Sequence, residues 1–435
     1  MPTALLVALA LCLTTTAQAQ SRGDGSIYSR FGVGTLKTFS SSQIEALGGS
    51  GTAMQSLNYL NLRNPASWAN QVLTRAVASA NFRRVRATDD RAGTDPSSLI
   101  TGGLTAVQLS FPILKQKLGV GLALKPYSRA NYRVLASDRQ LTPSPGDTAS
   151  YDINFEGRGG LQQIVGGAGY RVNDYLDLGA TAKVLFGTYE DARRITFQTN
   201  GYREANVTTA TRMIGVTGTL GALYHQGDLL HENDQIDVGA ALTLPTALSG
   251  EQSKTLGESL NRDTLDVNAP EVREGNLTLP LSARLGAAYR TGPRWLFVAD
   301  ALYEPWSGFD NDLTDGEPFR PAISQDFSDR VRLSGGVEVV PAGNERRAPY
   351  LARVAYRLGA YYNRVYAHPN GKNLRTLAAT TGLSLPTTLS GTHLDLNVEV
   401  GTRGATTGPL VRDRFFSISA SVNFGEEWFR ERKLQ

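Results

Sequence analysis

The feature that most constrains this chain is an alternation of apolar and polar residues with period two, kept up over long segments. Leu394, Leu396, Val398 and Val400 alternate with Asp395, Asn397 and Glu399. Phe416, Ile418, Ala420, Val422 and Phe424 alternate with Ser417, Ser419, Ser421 and Asn423. The same pattern runs through Leu277–Tyr289, Tyr350–Tyr362, Leu176–Phe186 and Leu118–Leu124. A β-strand sends such residues to opposite faces. Soluble strands average about 5–6 residues, whereas membrane-spanning strands need about 9–11. No stretch past the N-terminus offers about 18 consecutive apolar residues, so a helical membrane protein is excluded. The segments therefore predict an all-β fold, a transmembrane antiparallel β-barrel.

The connections support that reading because they alternate in length. Short ones lie near Ile113–Lys117, Val172–Asp174, Gln226–Asp234, Thr291–Pro293, Pro341–Ala348 and Thr388–Gly391. The others are mostly longer and polar: Ala87–Thr101, Ala136–Ser150, Thr246–Gly275, Phe309–Ser328, Ala367–Arg375 and Gly404–Arg412, with a tight turn near Asn200–Arg203. Outer-membrane barrels pair short periplasmic turns with long outer loops. Counting between connections gives about fourteen strands, both ends periplasmic. Tyr170, Tyr175, Trp295, Trp306, Tyr361, Tyr362, Trp428 and Phe429 fall near segment ends, as interfacial girdles do.

The charged rows belong inside. Arg284, Arg290, Arg332, Arg353, Arg357, Lys125, Lys183, Asp395 and Glu399 share faces opposite the apolar rows. Facing lipid at the midplane, each cation would cost about 2–4 kcal/mol. They form either a salt-bridged interior or, for some arginines, a hold on an anionic head group. Arg284, Arg353 and Arg357 are the candidates for ligand contact, which the sequence otherwise leaves unassigned.

The ends are distinct. Residues 1–19 read as a signal peptide, with an apolar run over Ala4–Leu13 and small residues at Ala17 and Ala19. The single cysteine, Cys12, lies within it, so the mature chain has no disulfide. Residues 20–72 alternate poorly and are rich in small residues, which favours close packing in a lumen, a hatch, over a solvated tail. The barrel is assigned to 73–425 and a periplasmic tail to 426–435.

Gly48-Gly49-Ser50-Gly51 followed by Asn64-Pro65-Ala66, just ahead of the first strand, resembles the long-chain fatty-acid transporter (FadL-like) outer-membrane proteins. Tyr28-Ser29-Arg30-Phe31-Gly32 and Trp428-Phe429-Arg430 are similar to members from Bacteroidetes-type bacteria. The resemblance implies fourteen strands, an N-terminal hatch built on Gly48, Gly49, Gly51, Asn64, Pro65 and Ala66, and passive uptake of hydrophobic compounds. Asn58 departs from the family, where an acidic residue is common.

Catalysis and metals find little support. His225, His231, His368 and His393 form no H-x-x-x-H or H-E-x-x-H pair. Gly48–Thr52 misses G-x-S-x-G because Thr52 replaces the last glycine. His393 and Asp395 share a face without a serine motif. Asp310, Asp312, Asp315 and Glu317 have calcium-like spacing but read as a solvated loop. No enzyme activity, cofactor or metal is expected. The formal charge of +4 argues against nucleic acid as a partner. The expected partners are outer-membrane lipid and hydrophobic small molecules. The alternative is a scaffold or shuttle in protein secretion, with secretion-system proteins as partners and Thr246–Gly275 and Phe309–Ser328 as docking loops.

Overall fold

The structure, a computed structural model, describes residues 25–89, 96–144, 147–199, 202–229, 231–260, 263–266, 271–313, 327–345, 347–389, 391–406 and 410–427. The signal peptide (1–19), Cys12, Asp315, Glu317, Trp428, Phe429 and Arg430 lie outside the described residues.

Fourteen antiparallel strands close into a barrel. They are β1 (Thr74–Thr88), β2 (Ser97–Leu114), β3 (Leu118–Pro126, resuming as Ser128–Ser144), β4 (Asp147–Arg171), β5 (Leu176–Phe197), β6 (Glu204–Gly227) and β7 (Asp234–Thr243, resuming as Thr246–Leu260). The wall continues with β8 (Glu271–Leu279, resuming as Ser282–Thr291), β9 (Trp295–Glu304), β10 (Arg330–Val339), β11 (Ala355–Arg364), β12 (Arg375–Pro386), β13 (His393–Arg403) and β14 (Arg412–Glu426). Closure is made by β14 on β1, in register from Thr74↔Glu426 to Thr88↔Arg412. A closed wall is what lipid demands, since an open edge would leave backbone groups unpaired.

The faces are inverted relative to a water-soluble sheet. Along β14, Ser417, Ser419, Ser421 and Asn423 are buried, while Phe416, Ile418, Val422 and Phe424 are about two-fifths exposed. Leu122, Leu178, Leu220, Leu285, Leu358 and Leu396 are exposed on other strands. An apolar surface of this extent is stable where its solvent is hydrocarbon.

Several expected connections prove to be strand. Ala136–Ser150 and Thr246–Gly275 are largely ladder: β3 and β4 pair out to Leu141↔Ala149, and β7 and β8 out to Lys254↔Glu271. Beyond the hydrocarbon both faces of a strand meet water, so the apolar alternation that marks a strand disappears while its hydrogen bonds continue. Arg353, expected on a strand face, instead ends a short helix (Tyr350–Arg353) at the short-turn end. Two aromatics leave the girdle. Trp306 is buried against Tyr366, with ring centroids 4.3 Å apart, and donates Nε1–H to Glu304 at 3.0 Å. Tyr361 points inward and donates to Glu399. Tyr170, Tyr175 and Trp295 are exposed.

Residues 25–72 lie within the ring of inward-facing side chains, and the buried core is formed there. The segment carries a 3-10 turn (Ile27–Arg30), the two-residue strand Thr35–Leu36, helix α1 (Ser42–Ala46) and a second 3-10 turn (Pro65–Asn70). The Ser41 hydroxyl accepts from the Ile44 N–H to cap α1. Ile44, Leu47, Ala53 and Met54 pack against wall residues Leu223, Leu296 and Val298. Val33 joins Leu161, Leu185, Tyr189 and Met213.

Candidate functional site

The segment is fitted to the wall by glycine. Gly119, Gly169, Gly179 and Gly221 stand in register on β3, β4, β5 and β6. A Cβ on each would strike segment backbone or side chain: Trp68 O at 2.0 Å, Pro65 O at 2.4 Å, Pro65 C at 2.4 Å and Asn64 Oδ1 at 2.1 Å respectively. Gly239 and Gly286 face Thr52 and Ala53, and Gly336 and Gly359 face Leu47 and Gly48. Such a row removes the side chains that would hold the two backbones apart.

The six motif residues sit along this contact. Gly48 and Gly49 have φ of +70° and +81°, the left-handed region open to glycine at no steric cost. The Gly48 N–H donates to Thr380 Oγ1 at 2.9 Å. A Cβ at Gly51 would lie 2.5 Å from Ile44. Asn64 caps the Pro65–Asn70 turn by accepting from the Ala66 N–H at 3.1 Å. Its amide donates to Thr52 O at 2.8 Å and to Ala222 O of the wall at 3.0 Å. Pro65 and Ala66 are buried, and the proline costs no hydrogen bond at the first turn position.

Charge completes the attachment. Asp300 on β9 accepts from the Gly51 N–H and the Thr52 N–H, both at 2.9 Å, and from the Thr52 hydroxyl at 2.7 Å. Arg357 on β11 links two other strands: Nε reaches Glu338 of β10 at 2.6 Å and Nη1 reaches Asp395 of β13 at 3.4 Å. The segment enters that network through Gln43 on Glu338 (2.7 Å), Ser42 on Asp395 (2.6 Å) and Tyr59 on Asp395 (2.6 Å). Arg357 therefore sits in a buried ion network, and Asp395 is committed to it and not to His393. Glu45 accepts from Ser419 at 2.7 Å, and burial pushes its carboxyl up despite that bond. Asn58 accepts from Arg75 at 3.0 Å.

Arg284 stands apart from this network, in the field of Glu304, Arg330, Asp300 and Arg332. Burial holds the Arg63 guanidinium well below its ordinary value, and the Arg284 and Arg332 charges pull the same way. Arg353 stacks over Tyr350 near the short turns, its guanidinium carbon 5.7 Å from the ring centroid. The three arginines are thus not gathered in one place. Among the described residues no group of three or more His, Cys, Asp and Glu could hold a metal ion.

The wall is interrupted between β2 and β3 near the long-loop end. β2 pairs with β3 only from Val107↔Leu124 to Leu114↔Leu118. After Pro126 the chain turns away: Ser128–Ser144 pairs with β4, and Ser128 and Arg129 pair with Leu36 and Thr35 of the segment. Gly159 and Gly160 on β4, at φ of +104° and +139°, permit this bend, since a Cβ on Gly160 would lie 2.3 Å from Ser128 O. Ser128 is buried and shares a hydrogen bond of 2.6 Å with Tyr189, which donates to Val33 O at 2.7 Å. Residues 97–106 of β2 are left with a ladder on the β1 side alone, and Leu99, Ile100 and Leu104 are exposed there. The sequence does not locate this slit. Its signals were Pro126 and the Gly159-Gly160 pair on the neighbouring strand.

A family model described as BamG matches residues 1–435. No curated protein sequence matches. Solved structures share the fold. A Pseudomonas aeruginosa FadL homologue is 14% identical, with 91% of this chain and 99% of that one covered and a TM-score of 0.59. The Pseudomonas putida toluene transporter TodX is 15% identical over 91% of this chain and 100% of that one, with a TM-score of 0.56. The Ralstonia pickettii toluene transporter TbuX is 13% identical over 90% and 99%, with a TM-score of 0.54.

Proposed function

The chain belongs to the BamG family, and from the slit in its wall and the fold it shares with known transporters we propose that it is a bacterial outer-membrane channel for passive uptake of hydrophobic compounds, long-chain fatty acids among them. Residues 20–72 act as its hatch. The observation that carries the reading is the slit between β2 and β3, where the wall loses a ladder beside exposed Leu99, Ile100 and Leu104. An apolar solute entering from the long-loop end leaves sideways into hydrocarbon there and need not cross the polar interior. The fold it shares with a FadL homologue and with toluene transporters supports uptake of apolar compounds. The step is partition between apolar phases, so it needs no reaction, cofactor or energy coupling. The hatch reading rests on Asn64, whose amide ties Thr52 to the wall, and on the strand Thr35–Leu36, which pairs with the inner side of the bend. Removal of residues 27–66, followed by measurement of labelled oleate and toluene uptake and of bilayer conductance, tests it. Open conductance with altered uptake is expected. Unchanged values for both refute the hatch.

A second reading is favoured by the glycine register, which fastens the segment at Gly119, Gly169, Gly179 and Gly221. A bore closed this firmly suits a scaffold in protein secretion, with Thr246–Gly275, at the upper end of β7 and β8, and Phe309–Ser328 as its docking surfaces. Co-purification of secretion-system proteins with the wild type, lost when Thr246–Gly275 is shortened, separates it from uptake.

A further inference from the structure

Five basic side chains of the interior have no carboxylate within ion-pair distance among the described residues. They are Arg63 of the segment, Lys125 on β3, Lys183 on β5, Arg284 on β8 and Arg332 on β10. Each lies within electrostatic reach of at least one other. Lys125 lies in the field of Lys183, Arg63 and Arg284, and Lys183 in that of Arg284. Arg63 feels both Arg284 and Arg332. A Cβ on Gly49 would lie 2.8 Å from Arg332 Nη2 and 3.0 Å from Arg63 Nη2, so two guanidinium ends flank one glycine.

Their hydrogen bonds go to neutral atoms. Arg63 Nη2 donates to Thr38 O at 3.0 Å, Arg332 Nη2 to Gly48 O at 2.8 Å, Lys183 to Thr243 Oγ1 at 3.4 Å, and Lys125 to Phe39 O. The Arg63 and Arg332 residues are each only 7% exposed, and their Nε atoms have no partner. The acids that face the group are already engaged. Glu304 is held by Arg330 at 3.0 Å, Asp300 by Gly51 and Thr52, and Glu399 by Arg83 and Tyr361. Buried cations that outnumber the carboxylates facing them are costly, and guanidinium forks match carboxylate and phosphate oxygens.

We infer that this cluster is an oxyanion site, in which a carboxylate or phosphate group bridges Arg63 of the N-terminal segment to Arg332 of the wall, within the field of Arg284, Lys125 and Lys183. The bound oxyanion locks the segment in place. The inference goes beyond the uptake reading, because a barrel that moves no hydrocarbon can still bind an oxyanion here.

The test uses the full chain in a neutral detergent and phosphate-free buffer. Inorganic phosphate, oleate and oleyl alcohol are titrated by calorimetry, and hydrogen exchange is followed over residues 38–64. Oleate or phosphate is expected to bind and to slow exchange in the segment, with oleyl alcohol at least tenfold weaker. Binding of both places a free oxyanion in the site; binding of oleate alone places an amphiphile head group there. Arg63→Gln and Arg332→Gln should each weaken binding at least tenfold, and Arg212→Gln on the exposed outer face should not. If Arg332→Gln fails to fold by heat-modifiable mobility, Lys183→Gln carries the same comparison. The inference is overturned if neither oxyanion binds, if oleyl alcohol binds as tightly as oleate, if binding leaves exchange unchanged, or if the folded variants bind undiminished.

Discussion

A single methyl group at Gly179 should loosen the segment from the wall. The Cβ of Gly179→Ala would lie 2.4 Å from Pro65 C, 2.5 Å from Ala66 N and 2.6 Å from Pro65 O. Ordinary carbon contacts lie near 3.5–4.0 Å, so the turn must retreat by about 1 Å. All three obstacles are backbone, which cannot rotate aside. Overpacking of this kind costs about 1–3 kcal/mol. At about 2 kcal/mol the undocked population rises roughly thirtyfold, since about 1.4 kcal/mol is tenfold. Gly335→Ala is the matched control: it faces outward, and its nearest neighbour would be Val298 O at 3.5 Å. Hydrogen exchange over residues 60–72 reads the difference, and heat-modifiable mobility checks that both barrels remain closed. Exchange should accelerate by tens of fold in Gly179→Ala and not in Gly335→Ala. Equal protection in the two variants would refute the claim that absent side chains seat the segment.

Other perturbations probe separate parts of the attachment. Asp300→Asn keeps the shape but removes the charge from three hydrogen bonds, so docking should weaken by about 1.5–3 kcal/mol, read as more frequent opening in single-channel conductance. Arg357→Met strands the buried carboxylates of Glu338 and Asp395 and should cost about 3–5 kcal/mol in urea unfolding. Burial raises the Glu45 carboxyl, so the docked state holds its proton more firmly than the free segment. Its contribution is therefore full at low pH and lost as pH rises through the raised value; segment exchange should quicken over that range and become flatter with pH in Glu45→Gln. Leu358→Arg puts a cation on the exposed outer face and should cost up to about 2–4 kcal/mol in folding into vesicles.

The sequence by itself determined which rows of side chains meet hydrocarbon and which meet the interior, because a strand has period two and a bilayer offers only one kind of solvent to its outer face. Leu396 and Asp395 could be assigned to opposite sides from spacing alone, and the short turns followed from where alternation stopped. Its reach ended where the solvent stopped differing between faces. The upper parts of β7 and β8 are wetted on both sides, so Thr246–Gly275 read as loop although its backbone is paired. Trp306 and Tyr361 carry the composition of a girdle, and only their neighbours Glu304 and Glu399 reveal that they point inward. The tertiary structure alone brought Gly119, Gly169, Gly179 and Gly221 into one row against Asn64-Pro65-Ala66, set Arg63 beside Arg332, and opened the wall after Pro126. Each of these depends on strand register and on contacts between residues far apart in the chain, and local periodicity carries no record of either.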